Sequence, residues 1–295
     1  VEKISLIYKN RGDINWTIYA EKSAWLYSQS RNFLDASKVI NDFNSTFSEQ
    51  YLIMHGNEMI RQAQELYHNK LFSAAAQQYE IAAQWNKLEL EDELTTDKIY
   101  QSAILSWISA CDIPKALNLL DNFDVTHKSK ILEDCVEKIA GAADFLSSEG
   151  QHEMAKSYLY LSLQQYQEVG LFDEVKILAN KCIKILKSML NDSIKNEEPD
   201  TATFIVDEIE NLWNTYKAKR ENIDVYLSKI VKLFIKNRDF LKSDEMINKI
   251  KSQELQNELT ELRNEEEENI KEETKEDEQL YEKEALEILL KSLFI

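Results

Sequence analysis

Residues that commonly carry catalysis or bind metals are few in this chain and stand far apart. It has 295 residues, with four histidines and three cysteines. They are His55, His68, His127 and His152, and Cys111, Cys135 and Cys182. None of them forms a His-Glu-x-x-His or Cys-x-x-Cys spacing, which would place ligands around zinc. The sequence therefore predicts no metal site, and the scattered cysteines are typical of reduced thiols in a cytosolic protein.

Motifs for phosphate binding and nucleophilic catalysis are also absent from the sequence. With only 5 glycines, the chain contains no GxGxxG, GxxxxGK[S/T] or GxSxG pattern. It has 53 Asp and Glu residues, so many carboxylate pairs are conceivable and their number alone indicates no acid–base site. We therefore predict that the protein is not an enzyme and binds no cofactor. No catalytic, cofactor-binding or metal-binding residue is assigned.

The charge of the chain restricts its partners. Its formal net charge is −18 at pH 7. Nucleic acids and anionic membranes attract Lys and Arg, so the sequence predicts neither as a partner. The charge indicates either a solvated surface or an acidic surface that meets a basic protein. No run of about 20 apolar residues could span a bilayer. We expect a cytoplasmic location, and the start at Val1 without a signal peptide suggests a processed product or a fragment.

The elements that carry these residues are predicted to be α-helices. Only 5 Gly and 2 Pro interrupt the chain, and residues that favour helices dominate it. Residues 59–84 show the clearest pattern, in which Ala63 on a first helix and Ala75 on a second allow the two helices to approach closely. Phe72 and Tyr79 are large and fill the space beside that contact. A short break at residues 69–71 separates the two helices.

The same spacing recurs along the chain. Ala24 and Ala36 stand 39 residues before Ala63 and Ala75. Further units are predicted within residues 96–123, 132–162, 151–182 and 223–250. Repeats of about 40 residues, each made of two helices, are typical of helical repeat proteins.

The small–large–small pattern in these units resembles the tetratricopeptide repeat (TPR) motif. The resemblance implies an all-α fold, a right-handed α-solenoid of TPR-like hairpins that binds other proteins. The chain departs from the family because most of its units lack the usual Gly and Pro positions.

Within that superfamily the chain is similar in general character to the soluble NSF attachment proteins. The similarity lies in length, acidic character and hairpins such as residues 71–85 (LFSAAAQQYEIAAQW). It implies an adaptor in membrane-fusion or vesicle-trafficking assemblies that bridges bundled fusion helices to a disassembly ATPase. In this chain the acidic run at residues 265–278 precedes an apolar helix instead of ending the protein, so no residue roles are transferred.

Three segments are predicted. Residues 1–190 hold TPR-like repeats, residues 191–262 continue them after a polar stretch, and residues 263–295 form an acidic segment followed by an amphipathic helix. The acidic run is expected to be an exposed helix or disordered. The apolar stripe of the last helix either folds back as a cap on the surface of Val231, Phe234 and Ile247, or binds a partner.

Five residues are predicted to contact a partner. They are Trp85, Leu286, Leu290, Leu293 and Phe294. The predicted function is a non-enzymatic protein–protein interaction scaffold or adaptor, whose partner is a helical or basic protein. The alternative is a structural subunit of a larger complex such as a coat or a proteolytic particle.

Overall fold

The computed structural model describes residue 9 and residues 16–41 and 45–293, except the side chains of residues 45–46, 273, 276–280, 282 and 284–293. All regular structure in these residues is helical, which confirms the predicted all-α class. The chain divides into two compact units, unit 1 (Val1–Leu178) and unit 2 (Ala179–Ile295). No helix in the described part of the chain combines the length and apolar character needed to cross a membrane.

The helices are numbered in chain order, and the first nine include all those of unit 1 and the helix that crosses its boundary with unit 2. They are α1 (Trp16–Gln29), α2 (Phe33–Ile40), α3 (Ser45–His68), α4 (Phe72–Trp85), α5 (Glu93–Ser109), α6 (Ile113–Asn118), α7 (Val125–Ser148), α8 (His152–Glu168) and α9 (Phe172–Lys195). A π-helix (Asn86–Leu90) follows α4, and a 3₁₀-helix (Leu119–Asn122) follows α6. In unit 2 the further helices are α10 (Pro199–Tyr216), α11 (Asp224–Lys236), α12 (Phe240–Lys249) and α13 (Gln253–Leu293).

Alanines hold the first helices of unit 1 close together. Helices α1 to α5 each pack on the next one in the chain, and α5 also packs on α7 and α6 on α8. Ala63 of α3 and Ala75 of α4 are fully buried in one core with Tyr79, as the spacing predicts. Ala24 and Ala36 make the equivalent contact between α1 and α2. A residue without a bulky side chain at each crossing lets the two backbones approach, and larger neighbours fill the space beside it.

Seven helices in the described residues end in the same type of turn, which connects each of them to the next helix. In each, one residue has a positive φ, from 57° to 82°, and the next residue precedes a new helix. The residues are Arg31, Lys70, Cys111, Gly150, Gly170, Glu197 and Arg238. At the first turn, the Arg31 N–H donates to the Ser28 carbonyl at 3.0 Å and the Asn32 N–H to that of Tyr27 at 2.9 Å. These two bonds define a Schellman motif, which satisfies carbonyls that the helix end leaves open.

In unit 2 a buried carboxylate joins two helix ends. Helix α11 packs on α10, α12 and α13. Asp224, the first residue of α11, is 5% exposed. Its two carboxylate oxygens accept from the backbone N–H groups of Lys251 and Ser252, at 3.2 and 3.1 Å. These N–H groups precede α13, so Asp224 fixes the start of the last helix to the start of α11.

Helix α13 does not fold back on the unit. It continues from Gln253 to Leu293 without a break, so the acidic run at residues 265–278 is helical. Leu259 in its first turns is fully buried, as are the apolar residues Val231 and Phe234. Leu286 lies about 40 Å further along the helix axis than Leu259, at 1.5 Å per residue. The prediction that residues 280–295 cap the last repeat is therefore wrong, because residues near Leu259 pack on α11 and α12 instead.

The predicted segment boundary at residue 190 falls inside α9, which runs on to Lys195. The polar residues that follow Leu190 extend this helix by more than a turn. The polar stretch at residues 191–200, which the sequence predicts as a loop, is a break only at residues 196–198, where Glu197 has a positive φ and Pro199 opens α10. Proline suits that first position because it lacks the N–H that a helix start leaves unbonded.

Candidate functional site

A wide helical turn separates α4 from α5. The π-helix Asn86–Leu90 continues directly from Trp85, and Glu91 then takes a left-handed conformation with φ 50°. Asp92 ends the turn and caps α5, because its side chain accepts a hydrogen bond from the backbone N–H of Thr95 at 3.0 Å. Hydrogen bonds from Thr95 lower the pKa of Asp92. Single π-helical turns often occur at functional sites.

Trp85 anchors this turn to α3. Its ring meets the ring of His55 edge to face, with 4.7 Å between the ring centroids. A Cβ atom at Gly56 would stand 3.3 Å from Trp85 Cδ1, so glycine is what lets the indole lie against the α3 backbone. Trp85 is half-buried, and its Nε1 is buried without a hydrogen-bond acceptor among the described residues. The structure thus places Trp85 in an intramolecular contact, and its predicted contact with a partner stays a prediction.

A cleft of about 610 Å³ opens beside the turn. Its walls are the π-helix, the first two turns of α5, and the start of α7. The cleft is lined by Lys87, Glu91, Glu93, Thr96, Asp97, Tyr100, Asn122, Phe123, Asp124 and His127. Cavities of this volume are in the range that proteins use to bind ligands or side chains of a partner.

The inner wall of the cleft is aromatic. Tyr100 is 6% exposed, and its ring meets that of Phe123 edge to face with the centroids 6.3 Å apart. Burial, followed by the negative charge of Glu80, raises the pKa of Tyr100. The Tyr100 hydroxyl makes no hydrogen bond to any described residue, and it is not among the polar atoms that are sealed from solvent without a partner. Its hydroxyl therefore keeps access to the cleft.

The rim of the cleft is strongly acidic. Glu91, Glu93 and Asp97 form no ion pair with the described residues, and Lys87 is the single lysine in the lining. Asp124 differs from these three, because it caps α7 through the His127 N–H at 2.9 Å and its carboxylate lies 2.8 Å from His127 Nδ1. These bonds lower the pKa of Asp124. Three carboxylates on this rim are thus without a positive partner inside the described chain.

Three residues next in sequence to the cleft lining are apolar and largely exposed. Leu88, Leu94 and Val125 are 75%, 67% and 69% exposed. Each is the sequence neighbour of a residue that lines the cleft. A rim that offers carboxylates, aromatic rings and exposed aliphatic groups suits a ligand that is cationic and partly apolar.

The remaining predicted partner contacts lie at the C-terminus. The backbone of Leu286, Leu290 and Leu293 belongs to α13, but their side chains are outside the described residues, and Phe294 is outside them altogether. These residues belong to unit 2, whereas Trp85 belongs to unit 1. Whether these four residues contact a partner stays a prediction.

The thiols and imidazoles also have defined surroundings. Cys135 and Cys182 are buried and Cys111 is half-buried. Burial raises the pKa of Cys135 to about 12 and that of Cys111 in the same direction, so both favour the neutral thiol. His152 Nδ1 lies 2.9 Å from the Ser147 hydroxyl. Among the described residues no group of three or more His, Cys, Asp or Glu side chains is placed to hold a metal ion.

The sequence interpretation missed the acidic cleft. A signal was present in residues 89–97 (ELEDELTTD), where five acidic residues stand at the junction of two helices. The other wall, residues 122–127, comes from the next helical pair, and nothing in the local pattern indicates that the two segments meet. In comparisons with known proteins, no protein-family model matches the chain and no curated protein matches it.

Proposed function

We propose that the protein is a non-enzymatic interaction scaffold or adaptor, built as a right-handed α-solenoid of TPR-like hairpins that binds another protein. The observation that carries this proposal is the repeated turn. The positive-φ residues Arg31, Lys70, Cys111 and Gly150 follow one another at intervals of 39, 41 and 39 residues. A helical pair repeated at a fixed interval of this size is the mark of stacked helical repeats, which present extended surfaces to partner proteins.

The packing order in unit 1 supports the same proposal. Each of the first helices packs on the next, and α5 with α7 and α6 with α8 make contacts between alternate helices. Stacked hairpins require both kinds of contact, because a hairpin cannot bury its apolar face alone and uses its neighbour for that purpose. The cleft at the π-helix lies between two such pairs, where a scaffold would offer a groove.

A role in vesicle trafficking is the more specific form of the proposal. It follows from the similarity to attachment proteins in the hairpins near residues 71–85, and it would make the partner a bundle of helices. The acidic surface, with a net charge of −18, is compatible with a partner that presents basic residues.

A structural subunit of a larger complex is the second candidate, and α13 favours it. This helix has 41 residues, and beyond Leu259 none of its described side chains is buried. A long helix that projects from its unit and ends in an apolar sequence is suited to contact a neighbouring subunit.

Light scattering of the purified full chain separates the two candidates. A scaffold is expected to be a monomer at all concentrations. A subunit is expected to assemble as concentration rises, and a matched chain that ends at residue 279 should stay monomeric because it lacks the apolar sequence. Assembly of the full chain, lost in the shortened one, would overturn the scaffold proposal in favour of the subunit.

A further inference from the structure

We propose that the cleft between the π-helix, α5 and α7 binds an extended segment of a partner protein in which a lysine or arginine is flanked by aliphatic residues. This inference rests on the scaffold function proposed above and gives it a site and a partner chemistry. The carboxylates involved are Glu91, Glu93 and Asp97, and the aromatic wall is Tyr100 with Phe123.

The charges on the rim determine whether the cleft attracts a positively or a negatively charged ligand. Three carboxylates share one cleft with a single lysine and have no ion pair in the described chain. Like charges held around one concavity raise the local negative potential, because the field there is focused by the low-dielectric walls. A cation that enters the cleft is attracted by this potential, whereas an anion is repelled.

The aromatic wall determines what the cation can contact. Tyr100 is more than nine-tenths buried, yet its hydroxyl has no partner among the described residues and retains access to the cleft. A tyrosine hydroxyl that reaches the cleft without an intramolecular partner is free to donate to or accept from a ligand group. The ring of Phe123 is half-buried beside it and offers a face for a Lys or Arg cation.

The exposed aliphatic residues determine the class of molecule. Leu88, Leu94 and Val125 each stand next in sequence to a residue that lines the cleft, and they are more than two-thirds exposed. An inorganic cation or a free polyamine would not cover these aliphatic side chains. A polypeptide with aliphatic residues beside its basic residue would bury them, which is favourable. The rim therefore favours a segment of a protein over a small cation.

The test is fluorescence anisotropy with a labelled nonapeptide in which lysine or arginine alternates with leucine or valine. A matched peptide carries glutamate at the basic positions, and another carries serine at the aliphatic positions. We expect the full chain to bind the first peptide and to bind each of the others about tenfold more weakly or worse. Binding should weaken as salt rises, because the Debye length falls from about 10 Å at 0.1 M to about 3 Å at 1 M.

Two triple variants locate the site. Glu91→Gln, Glu93→Gln and Asp97→Asn together should weaken binding of the basic peptide about tenfold. The control, Glu197→Gln, Asp200→Asn and Asp207→Asn in unit 2, removes the same charge and should leave affinity within about twofold. Circular dichroism establishes that both variants are folded.

Several results would overturn the inference. They are an absence of peptide binding, an equal loss of affinity in both triple variants, equal binding of the serine peptide, or displacement of the peptide by spermidine at the same affinity. Each of these, found with a chain that light scattering shows to be a monomer, removes the cleft as the site and leaves the scaffold proposal standing. Self-assembly of the chain removes the scaffold proposal whatever the peptide does.

Discussion

One group of acidic side chains in unit 2 and the cleft of unit 1 use their charges in different ways. In unit 2, carboxylates of the turn before α10 and of α10 itself are matched one by one with lysines of α11 and α12. The pairs are Glu197 with Lys236 at 2.6 Å, Asp200 with Lys242 at 2.7 Å and Asp207 with Lys249 at 2.6 Å. In the unit 1 cleft, Glu91 and its two neighbours on the rim have no such partner in the described chain. Three carboxylates are thus paired with lysines in unit 2, and we call these three ion pairs the unit 2 ladder. Three carboxylates in the unit 1 cleft are unpaired within the described chain.

The difference indicates which acidic residues serve the fold. A carboxylate with a basic or N–H partner contributes to stability, and its loss leaves that partner unsatisfied. A carboxylate without a partner contributes nothing of this kind and, in a cleft, repels its neighbours. The comparison therefore predicts a graded series of effects on stability, with buried and paired carboxylates at the top and the cleft carboxylates at the bottom.

The largest effect is expected at Asp224. Its replacement in Asp224→Ala removes a buried side chain and leaves the N–H groups of Lys251 and Ser252 without their acceptors. We expect a loss of about 2–3 kcal/mol in the unfolding free energy of unit 2. Urea unfolding measures it, with amide exchange of α11 to α13 assigning it to this unit. Asp224→Asn keeps one acceptor and should lose less, and equal stability of all three chains would remove Asp224 from the series.

The next effect is expected at Glu58 of unit 1, and it depends on pH. Hydrogen bonds from Arg61, and then from Gln62 and Arg31, lower the pKa of Glu58 from 4.5 to about 2 against the opposing effect of burial. A folded-state pKa below the unfolded value stabilises the fold at pH above 4.5, and this contribution is lost as the pH falls toward about 2.

Glu58→Gln removes the titrating group, so it tests this directly. The variant should be less stable than the parent above pH 4.5, and the difference should shrink as the pH is lowered toward about 2. Unfolding free energies measured along a pH series give the comparison. A difference that stays constant with pH would mean that the network around Glu58 contributes through packing and not through charge.

A smaller effect is expected from the ladder of unit 2. All three carboxylates are more than half exposed, so each pair is worth about 0–1 kcal/mol. Glu197→Gln, Asp200→Asn and Asp207→Asn together should lower the unfolding free energy modestly, and rising salt should reduce the difference from the parent. If the unfolding free energy falls as much as in Asp224→Ala, solvent exposure does not determine how much these ion pairs contribute to stability.

Much of the fold could be predicted because it depends on local spacing. Ala63 and Ala75 mark two helix faces by their small size, and the break at residues 69–71 follows from the end of the apolar pattern. The turns themselves are less visible, since five of the seven positive-φ residues are not glycine. Continuity of α13 could not be predicted either, because its acidic middle, residues 265–278, is supported by ion pairs such as Glu267 with Lys271 at 2.9 Å and not by an apolar pattern.

The site was less predictable than the fold for a physical reason. The position of Trp85 near the end of a second helix predicts an exposed contact, but its exposure depends on Gly56 and His55 about thirty residues earlier. The cleft forms where the π-helix brings residues 87–100 against residues 122–127, and a π-helix has no clear sequence pattern. Local spacing therefore predicts which helices form and pack, whereas a concavity between pairs depends on tertiary structure.

The smallest effect on stability is expected in the cleft. A large effect there would directly contradict the difference drawn between paired and unpaired carboxylates. In Glu91→Gln, Glu93→Gln and Asp97→Asn, no ion pair of the described chain is lost. Glu93 lies in the first turn of α5, so its neutralisation costs about 0.3–1 kcal/mol of favourable interaction with the helix dipole. Removal of repulsion between carboxylates on one rim acts in the opposite direction.

The two contributions should nearly cancel, and we expect the unfolding free energy of this variant to stay within about 0.5 kcal/mol of the parent. The same urea series that includes the unit 2 ladder variant measures it, so equal charge changes are compared under equal conditions. Asp92→Ala is the positive control, since loss of a helix cap beside the cleft should lower the unfolding free energy measurably. If the cleft variant is as unstable as the ladder variant, the open carboxylates belong to the fold, and their lack of partners no longer indicates a binding site.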